Sequence, residues 1–245
     1  MRRVLVIGAT SAIAEAVARR FAARGDTLCL AGRDPAKLAA IADDLRVRGA
    51  AAVHTVALDV TDILARATAL AAAEAAIGTP DVALIAHGTL PDQRACEQSE
   101  ATLLAAIDVN FTATLALATA IANGMQAAGR GTLAVITSVA GDRGRKSNYV
   151  YGAAKAGVST FLSGLRHRLY AQGVAVVDVR PGFVDTPMTA AFPKGALWAS
   201  PAGVARDIVA AIDHGTPVRY TPGFWRLIML VVRLLPRAVF HRTSL

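Results

Sequence analysis

Near its start the chain reads VLVIGATSAIA, residues 4–14, and the prediction of the fold begins from this stretch. Four consecutive apolar residues predict a strand buried on both faces, as in a parallel sheet. Gly8 then turns the chain into an alanine-rich helix that ends before Gly25. A turn of this kind brings backbone N–H groups and a helix N-terminus to a phosphate.

The same alternation of apolar strand and helix continues along the chain. We predict strands at residues 4–8, 27–32, 52–57, 82–86, 132–137, 174–179 and 218–220. Helices are predicted at 12–24, 35–48, 62–77, 99–128, 149–171 and 201–212. Such alternation implies parallel strands joined by right-handed crossovers. The predicted fold is α/β, a Rossmann-type doubly wound parallel sheet of about seven strands with helices on both faces.

No linker or repeat interrupts the pattern, so we predict one domain. It spans residues 1–220, and an apolar, basic tail helix at 221–245 belongs to it. Nothing at the N-terminus resembles a signal peptide, and no apolar run reaches the roughly 18 residues of a spanning helix. Cys29 and Cys96 form neither a disulfide framework nor a CxxC metal motif, so we expect no metal and a cytoplasmic location.

The composition describes a basic globular protein. Of 245 residues, 54% are hydrophobic and 18% are charged, which excludes a disordered chain. The net charge of +8 would fit nucleic acid or an anionic membrane surface. Because no run of five or more basic residues occurs and no recognition motif is present, we expect no nucleic-acid partner.

Ligands of such sheets bind beyond the carboxyl ends of the strands. The turn after the first strand keeps only Gly8 of the usual three glycines, and the Cβ of Ala12 lies where the backbone approaches a phosphate. After the second strand comes Arg33, where an NAD-preferring site has a carboxylate. Pairing of Arg33 with a 2′-phosphate predicts NADP(H) in preference to NAD(H). The alternatives are an ordinary turn and a solvated arginine.

The next two strand ends carry further candidates. Asp59 and Val60 follow the third strand, where Asp59 either contacts adenine or starts a helix. His87 and Gly88 follow the fourth, near the expected position of the cofactor ribose. His87 either tunes a proton relay or serves as a structural imidazole.

Three side chains around the fifth strand predict acid–base chemistry. Ser138 ends the strand, and Tyr151 and Lys155 lie four residues apart on the following helix, so they share a face. A tyrosine with a pKa near 10 is a poor base at neutral pH, but a neighbouring ammonium stabilises its phenolate. By itself, a tyrosine–lysine pair at this spacing is usually an ordinary surface pair.

Together with Asn110 and the segment RPGFVDT at 180–186, these residues resemble the short-chain dehydrogenase/reductase family over about residues 3–220. The resemblance implies hydride transfer between a nicotinamide cofactor and a carbonyl/alcohol pair. It implies that Tyr151 exchanges the hydroxyl proton, Ser138 positions the carbonyl, and Lys155 binds the ribose and lowers the tyrosine pKa. Asn110 would anchor a relay water. The family also implies a homodimer or homotetramer.

The residues and the resemblance together yield a full set of candidate contacts. Catalysis is assigned to Asn110, Ser138, Tyr151 and Lys155, and substrate binding to Ser138, Arg143 and Met188. Cofactor binding is assigned to Gly8, Thr10, Ser11, Ala12, Ile13, Arg33, Asp59, Val60, His87, Gly88, Tyr151, Lys155, Pro181, Gly182, Val184 and Thr186. One departure is IAHG at 85–88, where the family has Asn-Asn-Ala-Gly.

The run SVAGDRGRKSNYVYG at 138–152 is similar to reductases of polyprenylphosphoryl 2-keto-pentoses, which implies a lipid-linked keto-sugar substrate. Arg143, Arg145 and Lys146 would then meet a phosphodiester, or else belong to a solvated loop. Apolar residues suggest a short lid over a non-polar substrate, or part of the core: Met188, Phe192, Leu197 and Trp198.

The tail predicts a membrane-facing helix. Its arginines are spaced 7 and 4 apart, which places them on one face of an apolar helix over 224–240: Arg226, Arg233 and Arg237. This pattern is typical of an interfacial element and would hold the protein at the inner face of the membrane. The alternatives are a helix packed between subunits and one folded over the active site.

The leading interpretation is an NADP(H)-dependent carbonyl reductase. A reductase of acyl-chain or small-molecule ketones is the alternative within enzymes. The alternative that is not an enzyme is a regulatory protein that binds the cofactor without catalysis.

Overall fold

A computed structural model describes residues 1–243, and its centre is one parallel sheet. The strands are β1 Arg3–Ile7, β2 Thr27–Gly32, β3 Ala52–Ala57, β4 Val82–Ile85, β5 Gly131–Ile136, β6 Val174–Pro181 and β7 Val218–Thr221. Their spatial order is β3-β2-β1-β4-β5-β6-β7, and every neighbouring pair is parallel. The predicted doubly wound fold of about seven strands is confirmed.

Ten α-helices are present in the described residues. They are α1 Ala12–Ala22, α2 Pro35–Val47, α3 Ile63–Ile77, α4 Gln93–Gln98, α5 Glu100–Ile107, α6 Ala113–Ala127, α7 Tyr149–Leu169, α8 Pro201–Asp213, α9 Trp225–Leu234 and α10 Arg237–Phe240.

The sheet is covered on both faces, which explains its continuous apolar strands. In β1, Val4 and Val6 pack into the layer of α1, α2 and α8. Leu5 and Ile7 point the opposite way, into the layer of α3, α6 and α7. Side chains of one strand alternate between the faces, so a single apolar run supplies both cores.

Helix starts follow the sequence closely. Asp34 accepts a hydrogen bond from the Lys37 N–H at 3.1 Å and caps α2. Ser200 caps α8 by accepting from the Gly203 N–H at 3.2 Å. Both caps satisfy N–H groups that a helix leaves free in its first turn.

The long helical region predicted over 99–128 is present from Glu100 to Ala127, and a π-helical turn divides it into two α-helices. Ser99 has an extended backbone and caps α5, and a π-helical turn at Asp108–Thr112 separates α5 from α6. Asn110 in this turn donates from Nδ2 to the Ala106 carbonyl at 3.0 Å. The segment from α5 to α6 is long and apolar enough to cross a membrane. However, α6 buries one apolar face against the sheet, as a core helix does.

The tail is also not the single helix that the arginine spacing predicts. Pro236 lies between α9 and α10, and it cannot donate the N–H that would continue α9. The three tail arginines therefore do not share one helical face. Trp225, Met229 and Val232 of α9 are buried against Val139, so the tail folds back over the sheet edge. Ser244 and Leu245, the last residues of the predicted tail, lie outside the described residues.

The side chain of Arg143, a predicted substrate contact, is bound to the tail in the structure. Its guanidinium donates to the Val232 and Leu235 carbonyls, the latter at 2.8 Å, and stacks 3.8 Å from the centre of the Phe240 ring. A cation at the carbonyl end of a helix is favourable, and stacking on an aromatic face adds to it. Arg143 thus attaches the tail to the loop between β5 and α7.

Candidate active site

A cavity of about 570 Å³ lies along the carboxyl edge of the sheet. The turns after β1 to β6 line it, and Trp225 of α9 contributes from the tail. Parallel strands end at the same edge, so residues far apart in sequence meet here. The structure places these predicted site residues in its wall: Gly8, Thr10, Ser11, Ala12, Ile13, Arg33, Asp59, Val60, His87, Gly88, Ser138, Tyr151, Lys155, Pro181, Gly182, Val184, Thr186 and Met188. Asn110 and Arg143 lie outside it.

The turn after β1 suits a phosphate, although it has alanine at two positions where the usual motif has glycine. Gly8 has φ +77°, and a Cβ there would lie 2.5 Å from the His87 backbone nitrogen, so this glycine is required. Ser11 precedes α1 but makes no side-chain cap. The first N–H groups of α1, on Ala12 and Ile13, therefore remain available at the cavity wall.

The end of β2 presents a cation. Arg33 is exposed and makes no ion pair within residues 1–243. The adjacent Asp34 is engaged in capping α2. Asp59, at the end of β3, accepts from the N–H and hydroxyl of Thr61 at 2.9 and 2.8 Å. Arg33 is the cavity-lining group at this end that suits a phosphate.

Tyr151 and Lys155 share the inner face of α7. The Lys155 Nζ lies 5.7 Å from the centre of the Tyr151 ring and donates to the Ile136 carbonyl at 3.1 Å. Burial lowers the pKa of Lys155 to about 8, although the Asp178 carboxylate opposes this shift. These contacts place an ammonium beside a phenol in a dry site.

The pKa of Tyr151 differs from the prediction. Burial raises the pKa of Tyr151 to about 12, and the neighbouring Ser138 hydroxyl lowers it by less. The depressed pKa predicted for this phenol is therefore not found, because desolvation of the phenolate outweighs the hydrogen bond with Ser138. At neutral pH Tyr151 holds its proton, as a proton donor must.

Behind the site, Asn110 is fully buried and fixes the turn after β4. Its Oδ1 accepts from the Thr89 N–H at 3.1 Å, and its Nδ2 donates to the Thr89 hydroxyl at 3.2 Å. Thr114 lies one helical turn further on, with its hydroxyl 3.3 Å from the Asn110 carbonyl. Asn110 is thus a positioning residue here, and its relay water stays a prediction.

His87 packs between Thr114 and the turn at Gly8. Its Nε2 lies 3.2 Å from the Thr114 hydroxyl, while its Nδ1 is buried without a partner in the described residues. Burial, helped by the charge of Lys155, lowers the pKa of His87 to about 3. The imidazole is therefore neutral at physiological pH.

Comparison with known proteins identifies the family. The sequence profile described as short chain dehydrogenase matches residues 2–196. The chain belongs to the short-chain dehydrogenase family. It is therefore an oxidoreductase that uses a nicotinamide cofactor.

Several relatives span almost the whole chain. An uncharacterized oxidoreductase of Mycobacterium tuberculosis is 40% identical over 239 residues, covering 98% of this chain and 96% of the relative. An uncharacterized oxidoreductase of Streptomyces coelicolor is 38% identical over 244 residues, covering 98% and 95%. A solved short-chain dehydrogenase from Sphingobium yanoikuyae, in complex with NADPH, is 25% identical. It has a TM-score of 0.83, with 97% of this chain and 98% of that one covered.

Some lining residues of this short-chain dehydrogenase were not predicted from its sequence. Asn148 and Phe183 line the cavity, as does Trp225 from the folded-back tail. Asn148 and Phe183 lie within the quoted runs at 138–152 and 180–186, which is a signal that could have found them. Nothing local to Trp225 indicates that it reaches the site, since this depends on how α9 packs.

The lowered pKa of His87 predicts sensitivity to acid. The unfolded chain protonates this histidine near pH 6.5, whereas the folded chain keeps it neutral down to about pH 3. Stability contributed by the neutral imidazole is thus present above pH 6.5 and is lost as pH falls below it. Between pH 7 and 5 we expect the free energy of unfolding to drop by about 1 to 2 kcal/mol from this group. Urea titration at both values measures it.

The matched control is His54, which is exposed on β3. His87→Gln should lose most of this pH dependence, while His54→Gln should retain it. An equally steep fall in the His87 variant would contradict the assignment.

Proposed function

We propose that the protein interconverts a ketone and a secondary alcohol, with Tyr151 as general acid/base and NADP(H) preferred over NAD(H). The observation that carries this is one cavity with two chemically different ends. One end has the uncapped turn at Gly8 and the unpaired Arg33, which suit a phosphorylated nucleotide. The other has Ser138, Tyr151 and Lys155, which suit proton transfer. When bound, the nicotinamide supplies or accepts the hydride.

In the reducing direction, each side chain has a defined task. Ser138 donates a hydrogen bond that orients the carbonyl oxygen. Tyr151 then gives its phenolic proton to that oxygen, and the ammonium of Lys155 stabilises the phenolate that remains. Burial of both groups excludes water, which strengthens the charge interaction between them. In the oxidising direction Tyr151 takes the proton back.

Tyr151→Phe tests the proton donor. The variant should bind NADPH as the wild type does, because only a hydroxyl is removed, and should lose at least about 100-fold in kcat for ketone reduction. NADPH oxidation and equilibrium binding measure the two effects. Tyr149→Phe is the control, since its exposed hydroxyl bonds to Glu97 instead. Near-normal turnover by Tyr151→Phe would show that Tyr151 is not the proton donor.

If the wild type binds NADPH but reduces no ketone, the non-catalytic regulator becomes the better interpretation.

Arg33→Ala tests the cofactor preference. Loss of a charge-assisted contact to the 2′-phosphate should weaken NADPH binding by about 10- to 100-fold and leave NADH almost unchanged. Arg20→Ala is a matched control, because Arg20 is exposed on α1 and outside the cavity wall. Equal losses for both nucleotides would contradict the assignment.

The substrate end of the cavity supports a ligand with an apolar part. Phe183, Met188 and Phe192 line it and are each partly exposed. A lipid-linked keto-sugar phosphate fits this end, and so does the alternative of an acyl-chain or small-molecule ketone.

We also propose that the tail contacts the membrane from the cytoplasmic side. Although one face of α9 is buried, its opposite face leaves four apolar side chains more than half exposed: Leu227, Leu230, Val231 and Leu234. Arg226, Arg233 and Arg237 surround them, and no acidic residue occurs after Asp213. An apolar stripe bordered by arginines suits an anionic lipid surface.

Leu230→Glu should reduce binding to phosphatidylglycerol vesicles by about tenfold, since it places a charge on the inserting stripe. Leu64→Glu is the control, because Leu64 is the same residue type and even more exposed but lies on α3. Vesicle co-sedimentation measures both. A wild type that ignores these vesicles contradicts the proposal. A variant with changed oligomer size assigns the stripe to contact between copies.

A further inference from the structure

Unpaired polar atoms concentrate at the active-site cavity. Within residues 1–243, six buried side-chain nitrogen or oxygen atoms lack a hydrogen-bond partner. Four of the six belong to residues that line this cavity: His87, Arg145, Asn148 and Trp225. A buried polar atom that stays unpaired is unfavourable, because it loses its hydrogen bonds to water and gains none in the protein. Their concentration in one cavity therefore indicates groups that a bound molecule satisfies.

Arg145 is the charged member of this set. It is half-buried in the loop between β5 and α7, its Nε has no partner, and its guanidinium forms no ion pair within the described residues. Burial lowers its pKa, and Asp142 is the one charge that opposes this. The Asp142 carboxylate is already bound by Arg180 and by the Tyr220 hydroxyl, both at 2.8 Å.

Two neighbouring arginines, unlike Arg145, have hydrogen-bonding or ionic partners within the protein. Arg143 is bound to the carbonyl end of α9, and Arg180 is paired with two carboxylates. Arg145 has neither kind of partner, yet it faces the cavity that also holds Tyr151. A half-buried cation without an anion is unfavourable, so its natural partner is an anion that enters the cavity.

Asn148 and Trp225 add uncharged hydrogen-bonding groups. Asn148 precedes the 21-residue helix α7 but makes no side-chain cap, and its Oδ1 is unpaired. Its amide can turn to present the NH₂ group to an acceptor. The indole Nε1 of Trp225 packs against Gly182, where a Cβ would lie only 2.0 Å away, and it also lacks an acceptor.

We propose that Arg145, with Asn148 and Trp225, binds an anionic oxygen group of the substrate, a carboxylate or a phosphoester. The proposal rests on the proposed function, because the group reduced beside it is the ketone that Tyr151 protonates. The substrate class is therefore an anionic ketone. Arg145 selects it by charge, while Phe183 and Met188 contact its apolar part.

Matched ketones test this selection. We would compare levulinate with methyl levulinate, and dihydroxyacetone phosphate with dihydroxyacetone, by following NADPH oxidation. The wild type should favour the charged member of at least one pair by about 10- to 100-fold in kcat/KM. The pair that shows the preference distinguishes a carboxylate from a phosphoester.

Arg145→Met should abolish this preference through KM, leave kcat similar, and spare the neutral ketones. Arg145→Lys should restore part of it. Lys146→Met is the control, since Lys146 is exposed on the same loop and outside the cavity wall. A wild type without charge preference overturns the proposal. Equal losses for charged and neutral ketones in Arg145→Met also overturn it, because they indicate a merely structural arginine.

A binding measurement separates this proposal from the proposed reaction. Calorimetric titration of the NADP⁺-bound protein with levulinate and with dihydroxyacetone phosphate requires no turnover. Binding that Arg145→Met weakens at least tenfold supports the anion site even where no ketone is reduced, and in that case the proposed reaction fails. If the protein reduces neutral ketones but binds neither anion, the proposed reaction stands and the anion site is ruled out.

Discussion

The buried carboxylate of Asp178 is the interaction on which the active site depends. Asp178 is 1% exposed on β6, where it accepts from the Thr137 hydroxyl at 2.5 Å and from Arg180 Nε at 2.8 Å. Its charge also favours the ammonium form of Lys155 on α7. A buried carboxylate is stable only when paired and hydrogen-bonded, so these groups must remain together. One side chain thereby connects β6, Arg180 and the ammonium of Lys155 on α7.

From Arg180 the same network extends to the loop between β5 and α7. Arg180 binds Asp142, and Arg143 beside it attaches the tail to this loop. The loop is therefore held at its start, while Arg145 further along has no protein anion to pair with. Trp225 of the attached tail packs against Gly182 and lines the cavity. Loop and tail thus form one wall, whose unpaired donors face the place where a substrate would lie.

The site could be predicted from the sequence to the extent that its chemistry is local. The spacing of Tyr151 and Lys155 follows from helix geometry, and the apolar strands predict where Gly8, Arg33 and Ser138 emerge. Among the basic residues of the loop, by contrast, the sequence analysis selected Arg143 as the substrate contact, whereas Arg145 is the one that lines the cavity. Only their contacts distinguish Arg143, which binds carbonyls 89 and 92 residues away, from Arg145, which binds none.

Sequence patterns were enough to predict the parallel sheet, the order of its strands along the chain and the shared helix face of Tyr151 and Lys155, because periodicity and spacing are properties of neighbouring residues. The protonation of these side chains and the path of the tail depend on tertiary packing. Burial raises the pKa of Tyr151 and lowers those of Lys155 and His87, and burial is set by segments distant in the chain. The break at Pro236 is visible in the sequence, but the face on which α9 packs depends on Val139 and the sheet beneath it.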